Sequence, residues 1–377
     1  MDISKARNYF PLTKKNMIYF NHAATAPLNT FVIEALHNYI DDKTDGEIEN
    51  YNEFLKIVEE SKSRLGQMIN SSPDRIAYLD NTSNGINILA QGTQWKSGDR
   101  ILLNNIEFPA NIYPFLNLER KGVIIDFVKS KEGAVSAENV IENIKPGTRL
   151  ISISQVQFLS GYRVDLKKIG EYCKKNNIVF CVDAIQGLGA VRLDVQRDNI
   201  DFISCGTQKW MLGQQGFAFI YISEKLQEQL QQSYLGWLSV NGAWDFLNYK
   251  VDLKDNADRY QGGTLNTIGI ISLNASLKVF LEFGFDAIEK TIVENTCYFI
   301  EKLESIGINP FQANFKKENL AGITNFKMDD AQRIFDELSK NKIHFSLRAG
   351  LLRFSPHFYN TKEEIDFVVD ELKKLIK

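Results

Sequence analysis

Seven short apolar runs, at 76–79, 100–104, 123–128, 150–154, 178–182, 201–204 and 217–222, punctuate the chain up to residue 222. Between several of them lie amphipathic stretches with helical spacing, at 84–94, 112–120, 137–144 and 165–176. Strand-length apolar runs alternating with helices predict a mostly parallel, seven-stranded sheet sandwiched by helices. Helical periodicity also predicts helices at 30–40 and 51–69, ahead of the sheet. The stretch 233–266 has no clear period; it carries Trp237, Trp244, Asp258, Arg259 and the pair Gly262-Gly263, and reads as a long functional or interface loop. A strongly apolar helix is predicted at 267–283, followed by helices at 287–306, 329–341 and 362–376 with possible strands at 321–326 and 351–355. The fold class read from this pattern is α/β, with a smaller C-terminal α+β domain. The expected division is an N-terminal segment 1–20 packing with the small domain, a large domain over 21–270 and a small domain over 271–377.

Composition changes this picture little. The chain has 377 residues, 24% of them charged, and a net charge of -3, with basic residues dispersed; nothing predicts nucleic acid or a membrane surface as partner. The four cysteines (Cys173, Cys181, Cys205, Cys297) lack metal-ligand spacing, so no metal is expected. The first residues, MDISKARNYFPLTKKN, have no apolar signal core and no later run reaches transmembrane length, which makes the cytoplasm the expected address.

Candidate chemistry gathers at the predicted strand ends. Lys209 follows the run 201–204 and precedes Trp210; a lysine between two buried strands is unusual unless partnered or reactive, and a Schiff base with pyridoxal phosphate is the working reading, against a merely structural lysine. Asp183 directly follows 178–182, where ligands of open α/β sheets bind, and could hold a pyridine nitrogen protonated. Helix capping is its bland alternative, and Gly187-Leu188-Gly189 as a nicotinamide loop lacks the third glycine. Gln186 could reach the same ring. Asn81-Thr82-Ser83-Asn84-Gly85 makes an anion cradle or an ordinary N-cap. Phe108, after 100–104, could stack on a flat cofactor or fill the core; Gln157, after 150–154, could touch substrate or cofactor. Arg353, inside an apolar run, suggests bidentate capture of a carboxylate.

Taken in order, Asn81 to Gly85, Asp183-Ala184-Ile185-Gln186, Gln208-Lys209, Arg259 to Asn266 and Arg353 to Thr361 resemble the class V aminotransferases, fold type I pyridoxal phosphate enzymes that include cysteine desulfurases, selenocysteine lyases and epimerases. The resemblance covers nearly the whole chain. It implies pyridoxal 5'-phosphate as cofactor, bound through Lys209, with Asp183 on the pyridine nitrogen, Gln186 on the phenolic oxygen and Phe108 stacked on the ring. Thr82, Ser83 and Gln208 would hold the phosphate, joined by Thr264 from a second subunit of a homodimer. Arg353 would bind the α-carboxylate of a small amino acid. The family's description favours transamination; C–S lyase and epimerase chemistry are the alternatives. Three departures bear on the choice. Phe108 and Gln208 stand where desulfurases have histidine. The loop cysteine that desulfurases carry just before the arginine is missing too, so cysteine desulfuration through a protein persulfide is not expected.

Overall fold

The computed structural model describes residues 1–46 and 48–376. Its central sheet has seven strands in the spatial order Ile76–Leu79, Ala218–Ile222, Phe202–Gly206, Val179–Asp183, Thr148–Ser154, Arg100–Asn104, Ile124–Val128. Five neighbouring strands, from 202–206 to 124–128, are parallel, while Ala218–Ile222 runs antiparallel to both of its neighbours. Six strands therefore end on one edge of the sheet, and the segments beginning at residues 80, 105, 155, 184 and 207 all emerge there. Apolar runs without alternation mark strands covered on both faces. Phe180, Cys181, Val182, Phe202, Ile203 and Cys205 are accordingly shielded completely from solvent.

The sheet matches the seven predicted strands, with ends shifted by up to two residues. Asp183 is the last residue of its strand rather than the first beyond it. The helix predicted at 84–94 starts earlier, at Thr82–Gly92, because the Asn81 side chain accepts the Asn84 N–H and caps it. The helix predicted at 112–120 breaks into 3-10 turns at Pro109–Asn111 and Glu119–Lys121 around the short helix Tyr113–Leu116. Pro109 and Pro114 lack the N–H groups a continuous helix needs.

Beyond the sheet, Thr267–Phe283 forms as predicted and packs against Thr30–Thr44 and Tyr51–Ile69. Phe285–Ser305, Ala331–Lys340 and Lys362–Leu375 surround an antiparallel sheet ordered Ser346–Arg348, Leu351–Phe354, Thr324–Lys327. Ser346–Arg348 and Leu351–Phe354 are joined by two residues, Ala349 and Gly350, with φ of 49° and 78°. That left-handed pair is the tight hairpin turn that matches strand twist. Ile18–Tyr19 pairs in parallel with Ile343–His344, so the chain's beginning is laced to its last third.

The dinucleotide reading of Gly187-Leu188-Gly189 has no space to operate in. A Cβ on Gly187 would lie 2.2 Å from Gln155 Oε1, and one on Gly189, at φ 96°, would lie 2.3 Å from the Trp210 carbonyl oxygen. Both glycines let protein pack behind Lys209 rather than cradle a ligand.

Candidate active site

The strand ends enclose a cavity of about 360 Å³. Lys209, Asp183, Gln186, Thr82, Ser83, Phe108, Gln208 and Arg353 all line it. Thr82 and Lys209, 127 positions apart, meet here because six strand ends share one edge, and Arg353 joins them from the antiparallel sheet of the last third. One residue expected in this cavity is not there. Gln157 is fully buried beneath Phe158, and its Nε2 donates to Glu107 Oε1 at 3.0 Å. Thr264 is exposed and does not line the cavity of its own chain.

Asp183 is held at the end of the 179–183 strand between Ser154 and Ser204. Its Oδ1 accepts the Ile185 N–H at 3.0 Å, and its Oδ2, buried, has no partner. Burial pushes its carboxyl above the ordinary 3.8, helped by the negative charge of Glu107. Glu107 is itself buried and accepts from Ser154 N at 2.8 Å, as well as from Asn104 Nδ2, Ser154 Oγ and Gln157 Nε2. A buried carboxylate with one oxygen facing a cavity calls for a cationic N–H donor.

Lys209 reaches the cavity from the turn after Phe202–Gly206, where Thr207 and Gly213 close a backbone hydrogen bond of 2.9 Å. Burial lowers its ammonium below the ordinary 10.5; Asp183 opposes that shift, and Arg353 and Arg348 add to it. Its Nζ lies 5.7 Å from the Phe108 ring centroid. Phe108 is 44% exposed, so it does not fill the core; the ring of Phe158 meets it edge to face at 5.3 Å and 82°.

Arg353 is 3% exposed, with Nη1 donating to the Phe158 carbonyl at 3.3 Å and Nε unpartnered. Burial, followed by the charge of Arg348, lowers its guanidinium to about 10. A buried fork with free donors fits a carboxylate.

At the opposite end, the Thr82 hydroxyl accepts the Gly206 N–H at 3.0 Å, tying the start of Thr82–Gly92 to the strand that delivers Lys209. The first N–H groups of that eleven-residue helix, beside the Ser83 and Gln208 side chains, suit a phosphate. Gln186 is oriented from both sides: its Nε2 donates to the Ala23 carbonyl and its Oε1 accepts the Trp210 indole N–H, each at 3.0 Å. One amide hydrogen of Gln186 remains for a ligand.

Pyridoxal phosphate fits these residues. It presents a pyridine nitrogen to the orphaned Asp183 Oδ2, an aldehyde to the Lys209 amine, a phosphate to the helix start and a flat face to Phe108. Each demand meets a group that the protein alone leaves unsatisfied or exposed.

Several residues at the site escaped sequence reading. Ala23 and Ala24 line the cavity because His22 anchors their segment: its Nδ1–H donates to the Ser355 carbonyl at 3.0 Å, leaving Nε2 to accept from Tyr359 Oη at 2.9 Å. His357 donates from Nε2 to the Trp210 carbonyl at 3.0 Å, and burial lowers its pKa to about 4. Both rings are structural clamps behind Lys209. Phe158 and Arg348 also line the cavity. Phe158 directly follows Gln157, and Arg348 lies five positions before Arg353, outside the motif that runs from Arg353 to Thr361.

Comparison with known proteins bears on this arrangement. A family model described as "Aminotransferase class-V" matches residues 18–368. A Methanothermobacter thermautotrophicus protein named "Probable cysteine desulfurase" is 28% identical, covering 100% of this chain and 98% of its own. A Borreliella burgdorferi protein of the same name is 30% identical over 98% of this chain and 96% of its own. A solved complex of "the cystine C-S lyase C-DES and its reaction product cysteine persulfide" superposes with a TM-score of 0.87 at 22% identity, covering 96% of this chain and 98% of that one.

Proposed function

The chain belongs to the aminotransferase class-V family, with pyridoxal 5'-phosphate as its cofactor, and from that premise we propose that it cleaves the Cβ–S bond of a sulfur-bearing α-amino acid by α,β-elimination. Bound pyridoxal phosphate supplies an electron sink for the pair left at Cα. Lys209 secures the cofactor covalently and, as a neutral amine, takes the Cα proton; burial favours that neutral form. Asp183 balances the charge on the pyridine nitrogen, Arg353 fixes the α-carboxylate, and Phe108 covers one face of the ring. The Cβ–S electron pair leaves with sulfur, which gains a proton and departs as sulfide from cysteine, a thiol from a thioether or a persulfide from cystine. The released 2-aminoacrylate takes up water to give pyruvate and ammonium.

This reading rests on one observation above the others: Lys209, Asp183 with a free oxygen and Arg353 with a free nitrogen open into one cavity that no cysteine lines among the described residues. Cys173, Cys181 and Cys205 are buried, and burial raises all three thiols. Cys297, in the helix Phe285–Ser305, packs near Phe315. The strand that carries Arg353, Leu351–Phe354, is preceded by the two-residue turn Ala349-Gly350, which leaves no longer loop there to carry a sulfur acceptor. Sulfur chemistry, which the relatives' names suggest, is then elimination without a persulfide on the chain. Transamination uses the same residues as far as proton removal, and the same assay separates it. The holoenzyme is offered cysteine, cystine, their S-alkyl derivatives and alanine, with pyruvate, the released sulfur compound and the cofactor's absorbance followed together. Elimination gives pyruvate in equal amounts with the sulfur leaving group (sulfide from cysteine, a persulfide from cystine, a thiol from the S-alkyl derivatives) and no amine form of the cofactor; keto acid with accumulated amine form and no released sulfur compound would establish transamination instead.

The proposal extends to a homodimer in which Thr264 of the partner subunit completes the phosphate end. Thr264 is exposed, and the neighbouring strap presents Trp244, Phe246, Leu247 and Tyr249, each at least 59% exposed. Large apolar side chains exposed together in this way suit an interaction surface. Sedimentation should show a particle of two chains. Thr264→Val should weaken cofactor binding about tenfold, the loss of one hydrogen bond to a charged group, without altering that mass.

A further inference from the structure

Arg348 is the one cavity-lining cation with no task in the chemistry above. It ends the strand Ser346–Arg348, one residue before the left-handed turn, and opens at the mouth of the cavity while Arg353 lies deep in it. The two guanidiniums stand on neighbouring strands, joined by that turn, and the charge of Arg348 reaches both Arg353 and Lys209. Among the described residues the Arg348 side chain makes no ion pair or hydrogen bond, although most of the other arginines do, Arg7, Arg100 and Arg163 among them. The lining carries Lys209, Arg348 and Arg353 against a single acid, Asp183, whose free oxygen faces the pyridine site. Two like charges around one cleft repel each other unless an anion enters between or beside them. The α-carboxylate satisfies Arg353. The cavity, which Phe108 and Phe158 also line, still offers an unanswered cation.

We propose that Arg348 is a specificity residue that recognises a second anionic group at the far end of the substrate's side chain, so that the preferred substrates are amino acids with a distal carboxylate joined through sulfur. This rests on the elimination reading above. The reaction is unchanged by it: the Cβ–S bond breaks, sulfur keeps the electron pair, and the departing thiol carries the distal carboxylate out past Arg348.

The test uses the holoenzyme and two isosteric probes, S-carboxymethyl-L-cysteine and its neutral amide, S-carbamoylmethyl-L-cysteine. Wild type should turn over the carboxylate with a kcat/KM about tenfold or more above the amide, the difference residing in KM. Arg348→Gln should reduce that ratio about tenfold, the scale of one partly solvated charge-assisted bond, whereas Arg348→Lys should keep most of it. Raising salt should narrow the wild-type ratio and leave that of Arg348→Gln unmoved. If wild type handles both probes equally, or Arg348→Gln raises KM for both equally, Arg348 does not read the side chain and the inference fails while elimination stands. If neither probe nor any sulfur amino acid releases a sulfur compound, the elimination reading itself fails, and cofactor absorbance then shows which other reaction occurs.

Discussion

Lys209→Ala should lower turnover by about 10⁴-fold, the upper range for removing a positioned general base, and should abolish covalent capture of the cofactor. Two properties of the lysine contribute. Its backbone is fixed by the end of Phe202–Gly206 and by the Thr207–Gly213 hydrogen bond, so the amine is delivered without a search through loop conformations. Burial depresses its ammonium, so the neutral amine is reached at lower pH than for a solvated lysine. The working form is the deprotonated one; activity of the wild type should therefore rise with pH through this lowered value and level off above it. Lys209→Arg keeps the positive charge but gives no neutral amine near physiological pH. It should be about as inactive as the alanine variant, separating proton transfer from electrostatics. Borohydride treatment followed by mass spectrometry checks the attachment directly: cofactor mass should stay with the wild-type chain and leave both variants. An alanine variant that retains the reduced adduct, or that keeps even a tenth of wild-type turnover, would overturn the assignment.

Much of this site was legible because strand ends are legible. An apolar run that stops abruptly at a polar residue marks the carboxyl edge of a parallel strand, and Asp183 and Lys209 both stand at such stops. The direction of Ala218–Ile222 was not readable in this way: its apolar run looks the same parallel or antiparallel, and pairing partners alone decide it. Side-chain direction in the connecting segments was equally hidden. Gln157 and Phe158 are adjacent in a turn without periodicity, and the fold turns the amide inward to Glu107 and the ring outward to Phe108. The polar residue was the natural choice for a site; the buried carboxylate of Glu107, 50 positions earlier, claims it instead. Arg348 was obscured differently. Only the hairpin register, Arg348 opposite Leu351 and Ser346 opposite Arg353, shows that two arginines five positions apart share one cleft. Ala23 and Ala24 owe their place to His22 and to bonds with Ser355 and Tyr359, more than 330 residues away, which no local pattern encodes.

Asp183→Asn should act in opposite directions on the cofactor-free protein and on the enzyme. Without cofactor, burial holds the Asp183 carboxyl above its ordinary 3.8, and Oδ2 has no partner. The folded chain then binds that proton more tightly than the unfolded chain does. Stability from this group is therefore intact below about pH 4 and is lost as pH rises from there through the raised folded value, by at most about 1.4 kcal/mol per pH unit. Asparagine removes that penalty, so the cofactor-free variant should melt above the cofactor-free wild type at pH 8, and the gap should close toward pH 4. With pyridoxal phosphate bound the sign reverses. The carboxylate gains a cationic N–H donor and becomes a charge-assisted pair, whereas the amide offers a weaker acceptor and no charge to keep the ring nitrogen protonated. Turnover should fall about 10²- to 10³-fold, as when a preorganised electrostatic partner is removed, and cofactor should protect the variant against heat less than it protects wild type. Melting curves of both proteins, with and without cofactor, at pH 5 and pH 8 check the whole pattern. Equal melting temperatures of the two cofactor-free proteins at pH 8 would mean that Asp183 finds a partner in solution, and an unimpaired holoenzyme would remove Asp183 from the cofactor's ring nitrogen.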